Sequence, residues 1–266
     1  MLRIVLLLLL LIPWSGAHAA EFTFIPRTAA GPGPAMIRME GTIRDGDAKK
    51  LSNWITKHPA EYLITSLIQL SSDGGSVLEA IKVADLVEKS GWTALVDKGD
   101  TCASSCFLIF AAAQSRISIG QVIIHRPYFD KVAKDSREHL DQIEKQGAVA
   151  IALRNFLMAK GVSGRIIDTM MSLPSSQGHI FTSDDYRDLG YLAPVAEEQA
   201  IRRCGFDNTN FLAIYSKSPQ APSCLEAIFI PLRNSLIESW LGTEKLKAVG
   251  PRARDLYLNS PAHEKP

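Results

Sequence analysis

The chain has 266 residues, a formal net charge of +1, 46% hydrophobic and 21% charged residues. This is ordinary globular composition, which excludes collagen-like, disordered and multi-span membrane chains. A charge this close to zero also argues against a nucleic-acid partner, whose binders carry a basic surplus. A chain of this length can bury a substantial core as one domain with appendages or as two small domains, without a metal or disulfide scaffold.

The first twenty residues, MLRIVLLLLLLIPWSGAHAA, read as a leader. Arg3 precedes an apolar run at 4–12, Pro13 breaks it, and Ala17-His18-Ala19 has the A-x-A form of a signal-peptidase site. The run is shorter than the roughly 20 residues that a bilayer crossing needs. Residues 1–20 are therefore expected to be a signal peptide cut after Ala19 or Ala20, with an uncleaved anchor as the alternative. Without Arg3 the basic and acidic residues balance at 28 each. Export makes the protein periplasmic or secreted and exposes its four cysteines to an oxidising compartment. No later stretch reads as a membrane span, since the richest apolar run, 107–113, is short.

Residues 21–35, with their Pro and Gly-Pro breaks, read as an irregular lead. AMIRMEGTI from Ala35 alternates as a strand does, and Asp47 can N-cap a helix through Trp54 and Ile55. The continuous apolar run at 62–70 predicts a buried central strand, broken at Ser71-Ser72-Asp73-Gly74-Gly75. Ser76 begins a helix with Val77, Ile81, Ala84 and Val87 on one face. Residues 92–96 are a short strand, and Lys98-Gly99-Asp100 a turn before an apolar helix from about Ser105. Two strands follow at 117–119 and 122–124, then helices over most of 134–160 and near 164–172. After a loop at 173–181, Ser183 can cap a small helix and 191–193 returns to strand. Strand–helix alternation of this kind predicts an α/β fold over 36–196. Residues 197–266, punctuated by Pro219, Pro222 and Pro231, form a separate C-terminal extension.

Three segments bear chemistry. Asp73-Gly74-Gly75-Ser76 joins a strand to a helix and can present bare N–H groups to negative charge, although alone it reads as a simple turn. Cys102-Ala103-Ser104-Ser105-Cys106 opens an apolar helix, where a serine is first a cap and otherwise a nucleophile beside oxyanion-stabilising N–H groups. Ile123-Ile124-His125-Arg126-Pro127 places a histidine at a strand end, as a hydrogen-bonded structural residue or as a base; Pro127 ends the strand by removing a backbone donor.

Taken together, DGGSV at 73–77, GDTCASSC at 99–106 and IIHRP at 123–127 resemble the Clp protease proteolytic-subunit family within the crotonase-like superfamily. The likeness is closest to exported, Clp-like serine hydrolases with CASSCF and HRPYF, here 102–107 and 125–129, and it covers about 36–195. It implies a spiral of repeated strand–strand–helix units. Ser105 matches the nucleophile, His125 the general base, and Gly75 and Cys106 the two backbone N–H donors of an oxyanion hole. The chemistry agrees: His125 would take the Ser105 proton while two fixed donors hold the tetrahedral oxygen.

Two positions depart from the family pattern. Asp73 stands where the family has proline, and can cap the following helix. The stretch 174–180, where the third triad member falls, has no carboxylate, leaving Gln177 or Ser176 as a neutral partner or a Ser–His dyad. The implied activity is an exported serine hydrolase, a peptidase working through an acyl-enzyme on a peptide or protein substrate. The alternative is a weak or inactive Clp-like module that binds peptide or protein. Acyl-CoA chemistry would need an intracellular cofactor, and an exported protein has no ATP for an unfoldase partner. No cofactor or metal is expected, because the histidines lack ligand spacing; self-association is left open. A Cys204–Cys224 disulfide is expected to staple an extension with little core of its own. Cys102–Cys106 is open, and Cys106 as nucleophile is a further reading.

Overall fold

A computed structural model describes residues 18–26, 34–127, 136–174, 176–218 and 220–258. Most of the expected leader, 1–17, lies outside the described residues, as do Tyr128 and Phe129 of the HRPYF segment, Ser175 and Pro219. Residues 21–35 are not irregular throughout. Strand β1 (Glu21–Ile25) pairs antiparallel with β2 (Ala35–Glu40), with Phe22 opposite Met39 and Phe24 opposite Ile37. The reason is an apolar alternation: Phe22 packs on the core, and the Phe24 ring lies 5.8 Å from that of Trp54.

Helix α1 (Asp47–Lys57) is capped one residue earlier than expected, by Gly46 at φ 98°. Asp47 is the first helical residue, and its carboxylate accepts the Arg44 N–H at 2.7 Å and binds Lys50 at 2.7 Å. The apolar run at 62–70 divides. Pro59 opens a short helix, α2 (Pro59–Ile64), because a first helical residue needs no N–H, and its buried Tyr62 hydroxyl donates to Ser90 Oγ. Strand β3 (Thr65–Ser71) then occupies the centre of a five-stranded sheet, parallel to β2 on one side and to β4 (Thr93–Val96) on the other. Between β3 and β4 lies α3 (Val77–Lys89), whose cap is Ser76 Oγ accepting from Glu79 N–H, not Asp73, which is exposed.

The next segment holds a strand that its sequence conceals, β5 (Thr101–Ala103), followed by α4 (Cys106–Ala112), every residue of which is buried. Then come β6 (Ser115–Ser118), which completes the first sheet in the order β1-β2-β3-β4-β6, and β7 (Gln121–Ile124). Helices α5 (Ser136–Ala159) and α6 (Gly164–Ser172) follow as expected. Strand β8 (His179–Ile180) sits inside the expected loop and closes a second sheet, β5-β7-β8. Helix α7 (Ser183–Leu189) is capped by Thr182, not Ser183, in a reciprocal box with Asp185. The strand expected at 191–193 reduces to one bridge, Leu192 to Ser115, before α8 (Pro194–Cys204) begins and runs across 196–197.

The C-terminal region is helical through α9 (Phe211–Tyr215), α10 (Gln220–Leu241) and α11 (Thr243–Leu258). It has a core of its own, contrary to expectation. Phe206, Phe211, Leu225, Ile228 and Phe229 are buried together, and the Phe211 ring stacks on Tyr191 and Tyr215 at 5.2 and 5.0 Å. Leu236 and Ile237 of α10 join the main core. The Cys204–Cys224 disulfide is formed and ties α8 to α10.

The described residues form a mixed α/β fold with two sheets. Among the described residues no helix is long and apolar enough to cross a membrane. One buried cation fastens the helical layer to the sheet. Arg116 of β6 is 2% exposed and donates to Leu189 O at 2.9 Å and Lys160 O at 2.7 Å. Burial lowers its pKa to about 10, and the carbonyls at the ends of α7 and α5 that it caps would otherwise be short of donors.

Candidate active site

Two parallel strands end side by side. In the β5–β7 ladder Thr101 faces Gln121 and Ala103 faces Ile123, and one bond lies beyond it, from Ser104 N–H to Ile123 O at 2.9 Å. Ser105 follows the carboxyl end of β5 and His125 that of β7, so the serine-led loop and the histidine share one sheet edge. The end of β3 arrives there as well. Ser72 N–H donates to Thr101 O at 2.7 Å, and Ala103 N–H donates to Ser72 O at 2.8 Å. Asp100 anchors the start of β5: its carboxylate accepts both Arg38 guanidinium nitrogens, at 2.8 and 3.0 Å, and Gln69 at 2.7 Å. Desolvation would raise the Asp100 pKa, but these donors outweigh it and hold the carboxyl below its usual range.

The glycine turn leaving β3 packs on the serine pair. Gly75 forms a parallel bridge to Ile43 through Ile43 N–H to Gly74 O and Ser76 N–H to Ile43 O, so the Gly75 N–H takes no part in it. A Cβ on Gly75 would lie 2.1 Å from Ile43 O, which explains the residue choice. On the other side of the turn, Ser104 adopts φ 55°, a left-handed conformation that costs a non-glycine residue roughly 1 kcal/mol or more. The Cys102–Cys106 disulfide, Cα–Cα 5.2 Å, closes a loop around Ser104 and Ser105. It also removes Cys106 as a candidate nucleophile, because its sulfur is bonded. The Cys106 N–H is at the first position of α4, where it has no acceptor within the helix.

Ser105 is 3% exposed, and its hydroxyl has no hydrogen-bond partner among the described residues. Leaving a buried hydroxyl unpaired costs about 1–3 kcal/mol, and such groups call for an explanation. Ser115 Oγ is in the same condition but lies on β6, away from any histidine in the strand ladders. The Ser105 hydroxyl makes no direct hydrogen bond to His125 in this structure.

His125 is half-buried, and its Nδ1 lies 2.9 Å from Arg126 O. A carbonyl can only accept, so this contact needs the ring proton on Nδ1, and in the neutral ring the lone pair then lies on Nε2. A backbone carbonyl thus takes one of the ring's hydrogen bonds. Gln177 is exposed in a turn in which its N–H donates to Pro174 O, and Ser176 is exposed as well.

A second histidine escaped the sequence reading. His179 Nε2 lies 2.8 Å from Asp185 Oδ2, and His179 stands directly opposite Ile124, the neighbour of His125, in the β7–β8 ladder. Desolvation would raise the Asp185 pKa, but bonds from Thr182 N–H and Oγ1, from His179 and from Arg165 hold it at about 2. A T-x-x-D spacing at 182–185 was the signal that could have found this carboxylate, although the sequence placed the cap at Ser183. The histidine's partnership with it was not legible, since it depends on β8 forming. A scan of the chain against protein-family models finds no match, and a search of curated proteins finds none either.

Proposed function

We propose that the protein is an exported serine hydrolase, a peptidase of Clp-like type whose α/β domain follows the crotonase-like spiral. The observation that carries this reading is the buried Ser105 hydroxyl, without a hydrogen-bond partner among the described residues, set at one sheet edge with His125. Ser105 Oγ attacks the scissile carbonyl carbon while His125 Nε2 takes its proton. The N–H groups of Gly75 and Cys106 receive the oxyanion. The imidazolium then protonates the leaving amine as the tetrahedral intermediate collapses to an ester on Ser105. Water, deprotonated by His125, releases the acid and restores the serine.

Two disulfides fit an oxidising compartment and support a periplasmic or secreted location. The deciding experiment is labelling of the mature protein with a fluorophosphonate probe. The hydrolase reading expects a covalent adduct on Ser105, lost in Ser105→Ala and nearly lost in His125→Ala, with Ser104→Ala keeping a measurable fraction. The absence of a direct Ser105–His125 hydrogen bond favours one second reading, a Clp-like module that binds peptide or protein without cleaving it. No adduct on any serine, together with retained peptide binding, would select it.

A further inference from the structure

A cavity of about 840 Å³ opens at the other end of the central sheet from the glycine turn. Its floor includes Ala35, Leu67 and Thr93, at or near the amino ends of β2, β3 and β4, whereas Gly75 follows the carboxyl end of β3. Its wall is α10, through Leu225, Phe229 and Ile230, and α11 borders it. The Cys204–Cys224 disulfide fastens the beginning of α10 to α8, so the wall is held in place without a ligand. Size and lining fit a site for a small organic molecule, mostly apolar with a few placed polar groups.

The polar groups define the chemistry. Glu226 projects from α10 into this lining. Its Oε1 is bound by Arg233, a guanidinium 1% exposed whose Nη1 donates to Thr65 O at 2.7 Å. Oε2 is left as an acceptor. The Glu226 side chain keeps 35% of its surface accessible, so the carboxyl can be reached from the cavity, and burial of the rest raises its pKa. The Tyr215 ring also lines the cavity and feels the charge of Glu226. A carboxylate oxygen beside an aromatic ring is the chemistry that receives an ammonium group, by charge-assisted hydrogen bonding and by cation–π attraction. Arg252, a cation of the lining, is paired with Glu61 at 3.0 Å, while Asp255 adds a further negative charge.

We infer that this cavity binds small apolar primary amines, with the ammonium group between the Glu226 carboxylate and the Tyr215 ring and the apolar body against Leu225, Phe229 and Ile230. The inference does not depend on the hydrolase reading, because none of these residues belongs to the Ser105 site.

Calorimetric titration of the full mature chain, both disulfides intact, with decylamine, decanol and decanoate tests it. Decylamine is expected to bind at least about tenfold more tightly than decanol, with decanoate weakest. Glu226→Gln should remove the amine preference and leave decanol binding in place. Ala227→Trp, at an exposed position of the same lining, places an indole in the cavity and should weaken binding of all three even where Glu226→Gln fails to fold. Binding of decanoate as tight as that of decylamine, no binding of any of the three, or unchanged binding in Ala227→Trp would each overturn the inference.

Discussion

The Gly74 backbone packs directly on the Ser104 side chain: a Cβ on Gly74 would lie 2.7 Å from the Ser104 Cβ and 2.8 Å from Ala103 O. Two loops from different strands thereby fix each other's shape, the glycine turn after β3 and the strained serine after β5.

That contact separates three glycine substitutions by magnitude. Gly46→Ala meets open space and bears only the cost of a left-handed alanine, about 1 kcal/mol. Gly74→Ala adds a collision with the serine loop, and Gly75→Ala drives a Cβ into Ile43 O and breaks the bridge to Ile43. Urea unfolding should rank the variants Gly46→Ala mildest, with losses of about 3 kcal/mol or more for the other two. Probe labelling at Ser105 should survive only in Gly46→Ala.

An acid-dependent prediction follows from Asp185, whose side chain is 2% exposed and whose pKa is held at about 2. A depressed carboxylate pKa contributes stability that is fully present above the unfolded value near about 4 and is lost as pH falls toward 2. The shift corresponds to on the order of 2 kcal/mol. Asp185→Asn should therefore lose about that much at pH 7, and the gap from the wild type should narrow between pH 4 and pH 2 in denaturant titrations. A gap that stays constant across that window would place the effect elsewhere than in the carboxylate's ionisation.

If residues 1–20 are a leader, as the A-x-A motif suggests, burial distinguishes the two cut sites. Ala20 is 0% exposed, and its N–H donates to Thr42 O at 2.8 Å. A cut after Ala19 keeps this residue and converts its N–H into a charged donor to the same carbonyl, whereas a cut after Ala20 discards a core residue. N-terminal sequencing of exported protein should start at Ala20. A start at Glu21 or at Met1 would refute that placement.

The legible parts of the fold were those set by local chemistry. Periodicity placed β2, α3, α5 and α6, and the motif order marked Gly75, Ser105 and His125, which the structure sets on loops at the ends of β3, β5 and β7, and Cys106, which opens α4. Elements that exist only through distant partners stayed hidden. β5 has three residues and β8 two, and each becomes a strand because β7 lies beside it. The helical extension hid its core because Pro222 and Pro231 read as breakers, yet both lie within α10, whose buried face is secured by tertiary packing and a disulfide. The Arg126 carbonyl contact of His125 had no sequence signal at all, since every residue carries a carbonyl.

The last prediction concerns the disulfide that brackets the serine pair. Cys102 lies in β5 and Cys106 opens α4, so their bond joins the two ends of the loop that holds Ser104 at φ 55°. Without it, the loop can relax Ser104 toward an ordinary conformation, which moves both Ser105 Oγ and the Cys106 N–H. Misplacements of about 1 Å in such constellations cost up to about 100-fold in rate. The Cys102→Ser, Cys106→Ser double variant should remain folded, because α4 is buried in the main core, yet label with fluorophosphonate at least about tenfold more slowly. The Cys204→Ser, Cys224→Ser variant is the matched control. Its bond closes a longer loop far along the chain, so it should lose about 3 kcal/mol of stability while the folded fraction labels at the wild-type rate. Labelling rates measured on folded protein, with folding checked by circular dichroism, separate the two effects. Equal labelling in wild type and in the first variant would show that the loop keeps its geometry without the bond, leaving the contacts of Gly74 and Ile123 to set it.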